Sequence, residues 1–103
     1  MADPMKIRAT QVGDATEVKV LMSHEMETGQ RKDAQGNVIP AWFIQSVTAT
    51  WNGKTVLSAQ WGPAVAKNPF LSFKFKGGAK GDKVVIAWID SRGDRRTDEA
   101  TIA

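Results

Sequence analysis

Apolar and polar residues alternate with a period of two along most of this chain, and no stretch carries the period of a helix. From Met5 to Val12, the residues Met5, Ile7 and Ala9 fall on one side and Lys6, Arg8 and Thr10 on the other. Thr16 to Met22 sets Val18, Val20 and Met22 against Glu17 and Lys19, with Leu21 the one apolar residue on the polar side, which predicts a partly covered face there. Trp42 to Trp51 and Lys54 to Trp61 read as two further strands, followed by Phe70 to Lys76, where Leu71, Phe73 and Phe75 oppose Lys74 and Lys76. Lys83 to Asp90 is apolar on both sides and is predicted to lie centrally, buried on both faces. Arg95 to Ile102 is polar and charged, as suits an edge.

Turn chemistry separates these runs. Asn52-Gly53, flanked by β-forming residues, is a type I′ hairpin signal because both positions tolerate positive φ. A two-residue loop there places Trp51 opposite Lys54, Thr50 opposite Thr55 and Ala49 opposite Val56. Gly13-Asp14, the glycine-rich Gly77 to Asp82 and Ser91 to Asp94 are the other short turns, and Gly62 to Pro69 is an irregular connection. Seven strands with such spacing predict an all-β fold, an antiparallel β-sandwich of immunoglobulin-like type, as a single domain over residues 1–103.

The exception to the short connections is Met22 to Ile44. This polar excursion holds the only histidine, His24, the charges Glu25, Glu27, Arg31, Lys32 and Asp33, and the turn glycines Gly29 and Gly36. Connections this long are functional, disordered or hide a short element, and the functional reading is preferred here. It closes at Trp42-Phe43-Ile44, where consecutive apolar residues put bulk on both faces of a strand. One face meets the core, and the other is open to two readings, core or partner protein. Trp42, Trp61, Phe70 and Phe73 are otherwise expected in the core.

Composition narrows the chemistry. At 103 residues, 42% hydrophobic, the chain supports one core, and without cysteine it has no thiol nucleophile, sulfur carrier or thiolate metal site. One histidine builds a zinc site only if carboxylates supply the other ligands. His24 with Glu25 and Glu27 is the one such constellation, a candidate for a small metal-dependent hydrolase; against it stands a solvated or hydrogen-bonding loop histidine. A net charge of +3 is mildly basic. The densest cations, Lys74, Lys76, Lys80 and Lys83, are expected to solvate a sheet face and protect an edge, and no motif points to nucleic acid. No run has the length of a membrane span. Met1 to Lys6 lacks an apolar h-region, so a cytoplasmic chain, or one exported with a signal-bearing partner, is expected. Gly77-Gly78-Ala79-Lys80-Gly81 lacks Walker spacing and leads into a strand, and Arg92-Gly93-Asp94 is explained by a hairpin tip.

Several stretches together resemble the SoxZ family: His24-Glu25-Met26-Glu27-Thr28-Gly29-Gln30-Arg31-Lys32-Asp33, then Gly36-Asn37-Val38-Ile39-Pro40-Ala41, Trp61-Gly62-Pro63, and Asn68-Pro69-Phe70-Leu71-Ser72-Phe73-Lys74-Phe75-Lys76. The resemblance runs nearly end to end and departs at Glu25, where family members often carry Pro. It implies an immunoglobulin-like, non-catalytic subunit without cofactor, in a heterodimer with SoxY. SoxY bears a cysteine on a flexible arm that carries thiosulfate-derived sulfur in the periplasm, where other Sox enzymes visit it transiently. The expected partner-binding residues are His24, Met26, Glu27, Arg31, Lys32, Trp42 and Ile44. The alternatives are the hydrolase and a homodimeric adhesion-like module.

Overall fold

The computed structural model describes residues 3–103; Met1 and Ala2, which open the stretch read for a signal peptide, lie outside the described residues. Seven antiparallel strands form the fold: β1 (Lys6–Val12), β2 (Ala15–Leu21), β3 (Ile44–Trp51), β4 (Lys54–Gln60), β5 (Phe70–Lys76), β6 (Lys83–Asp90) and β7 (Arg95–Thr101). They make a three-stranded sheet, β1-β2-β5, and a four-stranded sheet, β4-β3-β6-β7. The sheets bury their inner faces on each other. Ala9, Val18, Val20 and Phe75 come from one sheet and Val47, Ala49, Val84, Ile86 and Trp88 from the other, with Met22, Ile44 and Ile102 closing the ends. The period-two pattern is thus an in/out code, and it is kept in β2, where Val18 and Val20 are fully buried between exposed or half-buried neighbours.

The β3–β4 hairpin turns at Asn52-Gly53, both at positive φ, with Trp51 opposite Lys54 and Thr50 opposite Thr55. Ala49 then pairs Leu57 rather than Val56, because a bulge between Ala49 and Thr50 leaves Val56 as the extra residue. β6 lies between β3 and β7, but only its inner face is buried. A two-layer sandwich has nothing to cover the outside of this sheet, so Ile89 is 41% exposed. Leu21 and Phe70 depart from expectation in the same way. The β2–β5 register sets them side by side on the outer face of the smaller sheet, 42% and 62% exposed.

The long β2–β3 connection is a second, irregular ribbon. Glu27 and Trp42 exchange backbone hydrogen bonds of 2.7 and 3.0 Å, Ile39 N–H donates to the Arg31 carbonyl, and Lys32 faces Val38. At the tip, Asp33 Oδ1 accepts the N–H groups of Gln35 and Asn37. The ribbon has almost no core: residues 30–38 are exposed throughout, Val38 included. The molecule extends 53 × 20 × 20 Å, about twice the roughly 25 Å of a seven- or eight-residue strand, so connections project well beyond the sheets.

Candidate functional site

A two-stranded ribbon is marginal by itself, so its order comes from its base. There Asp90, the last residue of β6, faces inward as the fourth member of the row Val84, Ile86, Trp88, Asp90 and is fully buried. Its Oδ2 accepts Nε2–H of His24 at 3.0 Å and Nε1–H of Trp42 at 2.7 Å. Its Oδ1 accepts the backbone N–H groups of Arg92 and Asp94 at 3.0 and 2.9 Å. One carboxylate therefore ties both legs of the ribbon to the β6–β7 turn. Burial pushes the Asp90 carboxyl up, but the bonds from His24, Trp42, Arg92 and Asp94 together outweigh it and hold the group below the usual carboxylate value.

His24 is buried rather than solvated, edge-on to Trp42 and Trp88 at 5.1 and 5.2 Å between ring centroids. Its Nδ1 accepts the N–H of Met26 at 3.0 Å, which leaves Nε2–H as the donor to Asp90. Met26 holds φ +50°, an uncommon conformation for this residue, and its Sδ accepts the Ile44 N–H at 3.3 Å. Asn68, also at positive φ, clamps the chain just behind: its Oδ1 accepts His24 N–H and its N–H donates to the His24 carbonyl. Arg92 lies over the Trp42 ring, 4.4 Å from its centroid. A cavity of about 120 Å³ opens beside this cluster between Ser23, His24, Trp42, Trp88 and Asp94. Trp88 lines it, and the buried Nε1 of this residue finds no acceptor among the described residues.

The expected site residues divide by depth. His24, Met26 and Ile44 are buried and Glu27 nearly so, so they shape the ribbon from beneath, whereas Arg31 and Lys32 are exposed on it and Trp42 is half-buried. Glu27 takes Arg31 in a bidentate pair, both its oxygens within 3.1 Å of the guanidinium. The triplet His24, Glu25 and Glu27 does not converge. His24 binds Asp90, Glu25 pairs Lys67 at 3.3 Å, and Glu27 holds Arg31. Among the described residues no three His, Asp or Glu side chains are gathered to hold a metal ion. With both ring nitrogens of His24 engaged, neither is free to take a proton from a nucleophile, so the hydrolase reading loses its base in this geometry.

The sequence matches the family described as sulphur oxidation protein SoxZ over residues 5–101. Comparison with curated proteins gives no match. Among solved structures, the fold is similar to a superoxide reductase in the oxidised state (TM-score 0.64, 15% identity, 99% of this chain and 89% of that one). It is also similar to the superoxide reductase (neelaredoxin) from Ignicoccus hospitalis (TM-score 0.56, 13% identity, 99% and 82%). A single-residue variant of the neelaredoxin from Archaeoglobus fulgidus, in the reduced form, gives a TM-score of 0.58 at 18% identity, over 97% and 86% of the two chains. At such identities the likeness is one of fold alone.

Proposed function

This chain belongs to the SoxZ family of sulphur oxidation proteins, and on that premise we propose that it is the non-catalytic partner subunit of a SoxYZ-like sulfur-carrier complex. It binds and supports a cysteine-bearing SoxY-like subunit during thiosulfate oxidation. The observation that carries the reading is the ribbon: an exposed, hydrogen-bonded arm without a core, held by a fully buried carboxylate that accepts four hydrogen bonds. Such a structure gives up little further conformational freedom when a partner closes on it, which is how preorganisation favours affinity. Val38 and Ile39 supply apolar surface along the ribbon, Lys32 a cation with no carboxylate partner among the described residues, and half-buried Trp42 under exposed Arg92 a base. A chain without cysteine leaves covalent sulfur to its partner. The complex works in the periplasm, which this subunit reaches by export together with its partner.

The test is co-purification of the untagged chain with a tagged SoxY-like subunit, followed by sizing of the product. A one-to-one complex is expected. A chain that stays alone at micromolar concentration, or one that forms only its own homodimer, overturns the reading.

A further inference from the structure

The outer face of the β1-β2-β5 sheet is far from neutral. Its registers line up as four rows: Lys6, Leu21 and Phe70; Arg8, Lys19 and Ser72; Thr10, Glu17 and Lys74; Val12, Ala15 and Lys76. Of the chain's 14 Lys and Arg and 11 Asp and Glu, five cations and one carboxylate stand here, leaving nine and ten elsewhere. The molecule's excess positive charge is thus concentrated on one face. Glu17 lies 3.5 Å from Lys19 and 4.0 Å from Lys74, and no carboxylate among the described residues reaches Lys6, Arg8 or Lys76.

Solvation and edge protection, the plain account of lysines on a sheet, explain charges on the edge strands β1 and β5. They do not explain Lys19 on the central strand, directly opposite Arg8, since like charges facing each other across a ladder destabilise it. Nor do they explain Phe70, the most exposed large apolar side chain among the described residues, beside Leu21. Between these two and the cations Lys6, Arg8 and Lys19 lies an open groove of about 290 Å³, with room for one apolar side chain. Three seven-residue strands give a face on the order of 300 Å², far below a permanent interface and suited to a brief, electrostatically steered encounter.

We propose that this face is a second docking surface, separate from the ribbon, for an acidic protein surface that presents carboxylates around one apolar side chain. The carboxylates meet Lys6, Arg8, Lys19 and Lys74, and the apolar side chain enters the groove against Leu21 and Phe70. A nucleic acid would call for several aromatic stacking platforms among the cations, and only Phe70 is offered. A bilayer would call for a wider apolar area than the two side chains Leu21 and Phe70 supply.

The full chain, ¹⁵N-labelled, is titrated with a synthetic peptide bearing four Glu around a central Leu, and with its Gln counterpart. The proposal expects amide shifts confined to β1, β2 and the start of β5. Binding should be at least tenfold weaker for the Gln peptide, at 0.5 M salt, and for Lys19→Glu. Lys19→Glu trades its contact with Glu17 for one with Arg8 across the ladder, so its urea midpoint should stay near that of the wild type; Leu21→Ser is the second variant and should weaken the peptide without moving the salt dependence. Shifts spread equally over Lys54, Lys80 and Lys83, equal binding of the Gln peptide, or tighter binding of phosphatidylglycerol vesicles or of a single-stranded oligonucleotide would each overturn it.

Discussion

Replacing Asp90 with Ala removes the acceptor of four hydrogen bonds at once. The two backbone donors, Arg92 and Asp94, sit in a surface turn and can rebond to water, so their loss costs about 0.5 kcal/mol each. The His24 and Trp42 donors are enclosed, and an orphaned buried donor costs about 1–3 kcal/mol. The sum, about 3–7 kcal/mol, is a large part of the 5–15 kcal/mol that holds a typical domain. In urea, with a slope of about 1–2 kcal/mol per molar for a chain of this size, the midpoint should fall by at least about 1.5 M. Asp90→Asn keeps the shape but turns an NH₂ toward donors, and should lose somewhat less. Tryptophan fluorescence follows the transition, and amide exchange at Glu27 and Trp42 reports the base of the ribbon separately. Either variant should accelerate exchange there beyond its global effect. A loss under about 1 kcal/mol, or unchanged exchange at these amides, would refute the role given to Asp90.

Acid should unfold the protein through two carboxylates. Asp90 is held low as described, and Asp98 is held low by its bidentate bond from Arg96 and by the Met5 N–H, against the opposing effect of burial. A depressed folded value means that stability present above the unfolded carboxylate range, about pH 4, is lost as pH falls through the folded values; a urea midpoint flat from pH 5 to 2 would contradict this. Gly78→Ala should cost about 2–4 kcal/mol in thermal unfolding. Gly78 sits at φ +88°, and a Cβ there would collide with the Thr16 hydroxyl, itself bonded to the Gly77 carbonyl, while Gly13→Ala, with open space, should cost about 1 kcal/mol. Arg31→Glu with Lys32→Glu should weaken partner binding at least tenfold by titration calorimetry. Lys32→Glu alone should leave the urea midpoint unchanged, whereas Arg31→Glu should lower it, because it strips the nearly buried Glu27 carboxylate of its guanidinium donors.

The strands and their inward faces could be read from the alternation, because burial in a two-layer fold is itself a period-two property. What alternation could not give was anything set by cross-strand register. The exposure of Phe70 follows from its place beside Leu21, and the single-residue bulge that moved Ala49 to Leu57 leaves no mark that composition reveals. The ribbon was hidden for another reason: bridges such as Glu27 with Trp42 are made by backbone groups, on which side-chain period is silent. Asp90 was missed although a signal existed. Val84, Ile86, Trp88 and Asp90 share one face, so a carboxylate was pointed into the core, and a buried carboxylate requires donors. The lone histidine was the natural one to pair with it. Glu25 and Glu27 are neighbours of His24 in sequence, but its partner in space is 66 residues distant.

On the proposed reading the ribbon is the arm that a partner grips, and amide exchange of the chain, free and in complex with a SoxY-like subunit, tests this most directly. Exchange at Arg31, Lys32, Val38 and Ile39 should slow at least tenfold in the complex. A stable complex in which these amides exchange as fast as in the free chain, with protection elsewhere, would contradict it.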